Sequence, residues 1–268
     1  MLPRSYLYVP ADNSRFLEKA ESSPADAIIL DLEDGVSLQR KEIARENAYS
    51  FLERTSRQYI TLRVNPDSTA LERHLINHAS VKKVFLPKVE SPEMVEEFIT
   101  STQCQKPLAI LVESAVGLRH INEIAAKEVV QSIGLGEADL FADIVLGEKP
   151  HPELRNHARA QLIFASYGHS KMPPIAPVST NFIDLHEFEA ECSELRSMGY
   201  WGRACIHPAQ VEIANKVFMA DEAKLEEAQK IVEILEGSQA GAEVALDGTM
   251  IDAAHLRWAR NYLSRHRT

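Results

Sequence analysis

The sequence predicts an α/β fold, a (β/α)8 TIM barrel over residues 1–219 carrying a C-terminal helical arm over residues 220–268. Three observations predict it. Six short runs rich in Ile, Val and Leu begin near residues 5, 27, 59, 81, 108 and 130, the spacing of one βα unit. The stretches between them are amphipathic, as crossover helices must be. Runs this short and this rich in Ile, Val and Leu read as strands covered on both faces in a parallel sheet.

The first run is SYLYV (5–9), ended by Pro10, and a helix is expected over Arg15–Glu21. AIILDL (27–32) is followed by a helix over Arg40–Arg54, and YITLRV (59–64) by a helix over Ser68–Ala79. VKKVFL (81–86) precedes Ser91-Pro92-Glu93, an N-cap, a proline at the first helical position and an acid near the positive helix end. LAILV (108–112) leads to a helix over Leu118–Ala126, and VQSIGL (130–135) leads to a long one from Glu153. KMPPIAPVS (171–179) is expected to hold a seventh strand and ACI (204–206) part of an eighth, with a helix over Glu187–Met198 between them. Because these last two strands are weakly marked, a doubly wound open sheet is the alternative. Beyond Ala220 the pattern stops. A charged helix (Glu222–Glu236), a turn-rich stretch (237–252) and a final helix (Ala253–Arg265) make up the arm.

Composition narrows the function. Of 268 residues, 45% are hydrophobic and 25% charged, ordinary for a soluble protein with a sizeable core. The formal net charge of −10 argues against nucleic acid as partner, since that needs a basic face. It leaves room for an anionic small molecule in a local basic pocket. Cys104, Cys192 and Cys205 show no zinc spacing and no CxxC, which fits a reducing cytoplasm. The N-terminal apolar stretch is broken by Pro10 and Asp12, so no secretory signal is read there, and no run approaches membrane-spanning length.

Chemistry on parallel α/β folds sits at the carboxyl ends of the strands. Those ends carry Asp31-Leu32-Glu33-Asp34, Arg63, Lys88, Glu113 and Gly134-Leu135-Gly136-Glu137-Ala138-Asp139. Asp34-Gly35 is equally a turn, and Lys88 alone reads as a solvated loop lysine. Arg63 lies inside an apolar pattern, where a guanidinium needs a partner. Glu113 closes five apolar residues, where an unpaired carboxylate is costly. Glu113 and Asp139, on adjacent strand ends, are placed to share an ion. Oxygen-only ligands select a hard cation, and Mg²⁺ fits; spacing alone does not choose between Asp139 and Asp143. Gly134-Leu135-Gly136 lacks the third glycine of a dinucleotide fingerprint and reads instead as a place where backbone passes close to substrate.

These residues carry a resemblance. RSYLYVPADNSRFLEKA (4–20), ADAIILDLEDGV (25–36), LRVNP (62–66), VFLPKVES (84–91), LVESAVGL (111–118), GLGEADLFADI (134–144), GRACIHPAQ (202–210) and DGTMIDAAHL (247–256) follow the order of the citrate lyase β-subunit and malyl-CoA lyase family, within the HpcH/HpaI aldolase superfamily. The sequence resembles that family over nearly its whole length. The resemblance implies a homotrimer whose arm reaches a neighbouring subunit's site; the cytoplasmic reading rests on the cysteines and the N-terminus above. It implies Mg²⁺ on Glu113 and Asp139, Arg63 on the substrate carbonyl oxygen that becomes an enolate, and Gly136 under the substrate carboxylate. Asp31, Glu33 and Asp34 would order water on the metal, and Asp252 would be the acid/base group delivered by the arm. The implied reaction is cleavage of a malyl-CoA or citramalyl-CoA type 3-hydroxyacyl thioester to acetyl-CoA and a 2-oxo acid. Alternatives are a citryl lyase β-subunit that needs an acyl-carrier protein, a thioesterase, or an aldolase for free oxo acids. Ala11, Arg203 and PPIAPVSTNFID (173–184) depart from the family pattern, the last near the acyl-CoA mouth. His207 and Pro208 match it, with His207 equally a loop histidine.

Overall fold

The computed structural model describes residues 2–66, 71–142, 144–145, 149–237, 242–244, 248 and 250–266. The chain forms two compact units, one from Pro3 to Phe218 and one from Met219 onward.

In the first unit strands and helices alternate. β1 (Ser5–Pro10) leads to α1 (Ser14–Glu21), β2 (Ala27–Asp31) to α2 (Lys41–Arg54), β3 (Ile60–Arg63) to α3 (Arg73–Ile76), and β4 (Val81–Leu86) to α4 (Pro92–Thr102). β5 (Leu108–Val112) is followed by α5 (Ala115–Arg119) and α6 (Ile121–Ala126), and β6 (Val130–Leu135) by α7 (Glu137–Ala142) and α8 (Pro152–Gly168). Then come α9 (Leu185–Met198), β7 (Arg203–Cys205) and α10 (Pro208–Val217). The seven strands form one sheet in the order β6-β5-β4-β3-β2-β1-β7, and every pair is parallel.

Alternate residues of β1, β2, β4 and β5 serve two cores, as the pleat requires. Ile28, Leu30, Val84, Leu86, Leu108, Ile110 and Val112 join the larger core with the helices. Tyr6, Ala27, Ile29, Phe85, Ala109 and Leu111 pack together on the opposite face. Two residues beyond Ile29 and Leu111 on that inner face come Asp31 and Glu113. The same period of two therefore carries β2 and β5 from apolar packing to a polar strand end.

The expected seventh strand is not formed as a regular strand. Pro173, Pro174 and Pro177 remove three ladder donors from this stretch. What remains is extended backbone tied on both sides. The Met172 N–H donates to the Gln131 carbonyl (2.9 Å), Ala176 N–H to the Gly202 carbonyl (3.0 Å), and Ala204 N–H back to the Ala176 carbonyl (3.0 Å). Among the described residues, the third helix, expected over Ser68–Ala79, covers Arg73–Ile76; residues 68–70 lie outside the described ones. Just before it, Glu72 turns back on Asn65, accepting from its side-chain amide at 2.7 Å.

Lys83 is a buried amine on the inner face of β4, 4% exposed. Its Nζ donates to Ser132 Oγ (3.3 Å) and approaches Met172 Sδ (3.7 Å). Among the described residues no carboxylate pairs with it, and burial lowers its pKa to about 8. Between pH 8 and the ordinary lysine pKa, the unfolded chain holds this proton and the folded chain does not, so stability is expected to rise with pH there. Lys83→Met should raise the thermal midpoint by a few degrees at pH 7 and flatten that slope. Melts from pH 7 to 10 check it; a lower midpoint at every pH would show the amine to be stabilising.

In the second unit α11 (Glu222–Gly237) packs against α12 (Ala253–His266) through Ala228, Ile231, Ala259 and Leu263. The stretch expected to be turn-rich holds a short antiparallel pair, β8 (Ala242–Val244) with β9 (Met250–Asp252). Strands of three residues leave too little alternation for a sequence pattern to show.

Candidate active site

Parallel register sets Asp31 beside Arg63 at the ends of β2 and β3, and the side chains pair bidentately. Arg63 Nε donates to Asp31 Oδ1 and a terminal nitrogen to Oδ2, both at 2.7 Å. Another terminal nitrogen lies 3.0 Å from Glu33 Oε2. The guanidinium stands over the Tyr8 ring, 4.9 Å from its centroid. Burial works against the Arg63 charge, but the hydrogen bonds to Asp31 outweigh it and the pKa rises. Asp31 also accepts from the Glu33 N–H (2.9 Å) and the Gly35 N–H (3.1 Å), so the β2 loop is wrapped around it. Lys41 Nζ ties the same loop from behind, donating to the Leu32 and Glu33 carbonyls, both at 2.7 Å.

Lys88 is exposed in the loop after β4, as its position suggested, but its amine is paired. Its backbone takes a left-handed φ of 56°, an uncommon conformation for a side chain of this kind. Its Nζ reaches Glu33 Oε1 (2.5 Å) and Asp34 Oδ2 (2.9 Å). Glu33, 4% exposed, thus lies between two cations; burial nonetheless lifts its pKa above the ordinary carboxylate value.

Glu113 follows β5 and is 5% exposed. Its Oε2 is buried with no hydrogen-bond partner among the described residues. Burial, then the charges of Asp139 and Glu33, push its pKa up to about 8. Gly136 is a close approach: a Cβ there would lie 2.6 Å from Glu113 Cγ. Only glycine lets the turn after β6 pass this carboxylate, and the Gly136 N–H bonds the Val112 carbonyl at 2.8 Å.

Asp31, Arg63, Glu113, Gly136 and Asp139 all line one cavity of about 310 Å³ at the carboxyl ends of the strands, with Tyr8, Phe85, Leu111, Ile175 and Val178 among its apolar walls. Glu33 and Asp34 stand behind it through Arg63 and Lys88. Asp143 lies outside the described residues. Asp252 belongs to the second unit. It ends β9 and caps α12, its Oδ1 accepting from the Ala254 N–H (2.9 Å) and from His255 Nδ1 (2.9 Å). Those bonds, His255's first, lower its pKa. His207 is the N-cap of α10 and stacks on Phe182, ring centroids 5.1 Å apart.

Sequence reasoning passed over Tyr8 and the pairing of Lys88. Tyr8 was discoverable from strand parity, since it is two residues along β1 from the inward-facing Tyr6. The left-handed turn that aims Lys88 carries no glycine or asparagine to announce it.

A buried guanidinium and a buried carboxylate thus line one cavity at the ends of parallel strands, the place where active sites of parallel α/β folds sit. Comparison with known proteins gives the class. The HpcH/HpaI aldolase/citrate lyase family matches residues 4–208, and the C–C bond lyase family of the TIM-barrel fold matches residues 153–268. A (3S)-malyl-CoA thioesterase of Cereibacter sphaeroides is 32% identical, covering 98% of this chain and 94% of that protein. An L-malyl-CoA/beta-methylmalyl-CoA lyase of Cereibacter sphaeroides is 28% identical over 96% of this chain and 92% of its own. The structure of CitE from Mycobacterium tuberculosis in complex with magnesium, acetoacetate and coenzyme A superposes with a TM-score of 0.76 at 27% identity, covering 98% of this chain and 97% of that one. The chain belongs to the HpcH/HpaI aldolase/citrate lyase family. It is an enzyme, and the family is one of carbon–carbon lyases.

Proposed function

We propose that this enzyme is a Mg²⁺-dependent lyase that cleaves a malyl-CoA or citramalyl-CoA type thioester to acetyl-CoA and a 2-oxo acid. The observation that carries the reading is the buried, unpartnered Glu113 Oε2 facing the same cavity as Asp139 and Arg63. A carboxyl so reluctant to ionise alone is suited to a dication, which offsets both charges at once. Glu113 and Asp139 would hold Mg²⁺, water and substrate oxygens filling the other positions. When bound, the ion supplies Lewis-acid stabilisation of negative charge on substrate oxygen.

The chain's own residues supply the rest. Asp252 takes the proton from the C3 hydroxyl. The C2–C3 bond breaks, the 2-oxo acid leaves, and the electron pair passes to the thioester carbonyl as an enolate. Arg63, held rigid by Asp31 and Glu33, meets that oxygen, and a proton returned to C2 gives acetyl-CoA. Glu33 and Asp34, anchored by Lys88, order water at the rim, and Gly136 leaves room for the substrate carboxylate. We read residues 1–219 as a closed eight-stave barrel, with the 172–176 stretch as its seventh stave, and residues 220–268 as an arm serving the neighbouring subunit of a cytoplasmic homotrimer.

A second reading is favoured by the thioesterase relatives, which align over 98% of this chain: water, not C–C cleavage, would then take the acyl group. Purified protein with Mg²⁺ and malyl- or citramalyl-CoA separates the two. A lyase yields 2-oxo acid and acetyl-CoA with no free thiol, whereas a thioesterase yields free thiol and the hydroxy acid. Failure on both free CoA esters would point to an acyl-carrier-bound substrate. The arm has its own test. Mixed oligomers of inactive Asp252→Asn and inactive Glu113→Ala subunits should regain part of the activity; verified mixed oligomers with none would place the base elsewhere.

A further inference from the structure

The turn that would hold Asp139 is short. α7 has six residues, and a helix of that length does not hold its own orientation in water. Its anchors must be tertiary. At the far end Leu140 and Phe141 are buried in the core. At the near end is Glu137, which follows Gly136 directly and stands two residues before Asp139. Both Glu137 oxygens are taken by Arg159 of α8, at 2.6 Å from Nε and 2.9 Å from a terminal nitrogen. The same terminal nitrogen of Arg159 lies 3.2 Å from Glu191 of α9, whose other oxygen accepts from Arg203 of β7 at 2.6 Å. Arg203 is itself packed over the Phe188 ring, 4.9 Å from its centroid. The Arg159 and Arg203 side chains are both fully buried.

Stability alone does not call for such a chain. Apolar side chains of similar volume would serve the core about as well or better, because two buried guanidinium groups must be stripped of water. What alternating charges supply is fixed geometry: a bidentate carboxylate–guanidinium pair constrains both partners in distance and plane. The Leu140 N–H then bonds the Gly136 carbonyl at 3.0 Å and starts the helix from that fixed point.

We propose that Arg159, acting through Glu137, is a positioning residue that sets Asp139 against Glu113 for the divalent cation. The proposal rests on the Mg²⁺ reading above. Arg159→Lys keeps the charge and loses the fork. In the full-length protein it should weaken Mg²⁺ binding by about 10- to 100-fold in calorimetry, with the activity loss recovered as Mg²⁺ is raised. Glu137→Gln should shift the affinity in the same direction by less, and it decides the matter if Arg159→Lys does not fold. An unchanged Mg²⁺ affinity in a folded variant, including one with a lowered melting midpoint, would overturn the proposal and leave Arg159 a core residue. Wild-type protein that binds no Mg²⁺ would overturn the metal reading itself, and this proposal with it.

Discussion

On the proposed metal assignment, Glu113→Gln is expected to abolish measurable Mg²⁺ binding and to lower turnover about a thousandfold or more, because the ion would lose its charged ligand and the substrate oxygens its field. The variant should nonetheless fold. Glutamine matches the shape of the protonated acid, and the acid form is the one burial favours, its pKa being pushed up to about 8. The sign follows from linkage. The folded, metal-free chain holds this proton between the ordinary glutamate pKa and about 8, while the unfolded chain releases it. Wild-type apo-protein therefore loses stability across that window as pH rises, and the glutamine variant does not. Without Mg²⁺ near pH 8, Glu113→Gln should melt no lower than wild type. With Mg²⁺, only wild type should gain in midpoint. Retained Mg²⁺ binding, or Mg²⁺-dependent turnover near the wild-type rate, would remove Glu113 from the metal assignment.

Much of this site was legible because strand ends are marked by composition. Asp31, Arg63 and Glu113 each follow apolar residues that have nowhere to go but the interior, so a charge there stands out in the order of residues alone. The need of Arg63 for a partner was also readable, and the register of β2 on β3 supplies it as Asp31. What was hidden depends on pairing across distance. Lys88 is joined to Glu33 and Asp34, more than 50 residues earlier, by a backbone conformation that its own residue type disfavours. The Glu137–Arg159–Glu191–Arg203 chain spans four elements, its paired members standing 12 to 32 residues apart. The fold shows the same division. Six strands announced themselves by apolar runs, whereas the stretch after α8 is rich in proline, which suppresses the ladder although the backbone still lies between its neighbours. The β8–β9 pair is too short to raise a periodic signal.

Arg63→Lys should lower kcat about 10²- to 10³-fold while leaving Mg²⁺ affinity within a few-fold of wild type. Lysine keeps one positive charge beside Asp31 and Glu33, which matters because deleting one partner of a buried pair costs about 3–5 kcal/mol. A lysine variant is therefore expected to fold where a methionine variant would not. What lysine lacks is the planar fork. Arg63 spends two nitrogens on Asp31 and reaches Glu33 with the third, so its orientation in the cavity is determined by two hydrogen bonds and an ion pair. A single ammonium on a flexible stem has no such constraint, and in the proposed reaction it would face the developing enolate only part of the time. The defect should appear in kcat, because this charge develops on the way to the transition state and is absent from the bound thioester. Thioester hydrolysis also places negative charge on the carbonyl oxygen, so the same loss is expected whichever products are formed. If kcat survives Arg63→Lys and the melting midpoint falls instead, the guanidinium is a tie that holds Asp31 in place, and the oxyanion must be met by another donor.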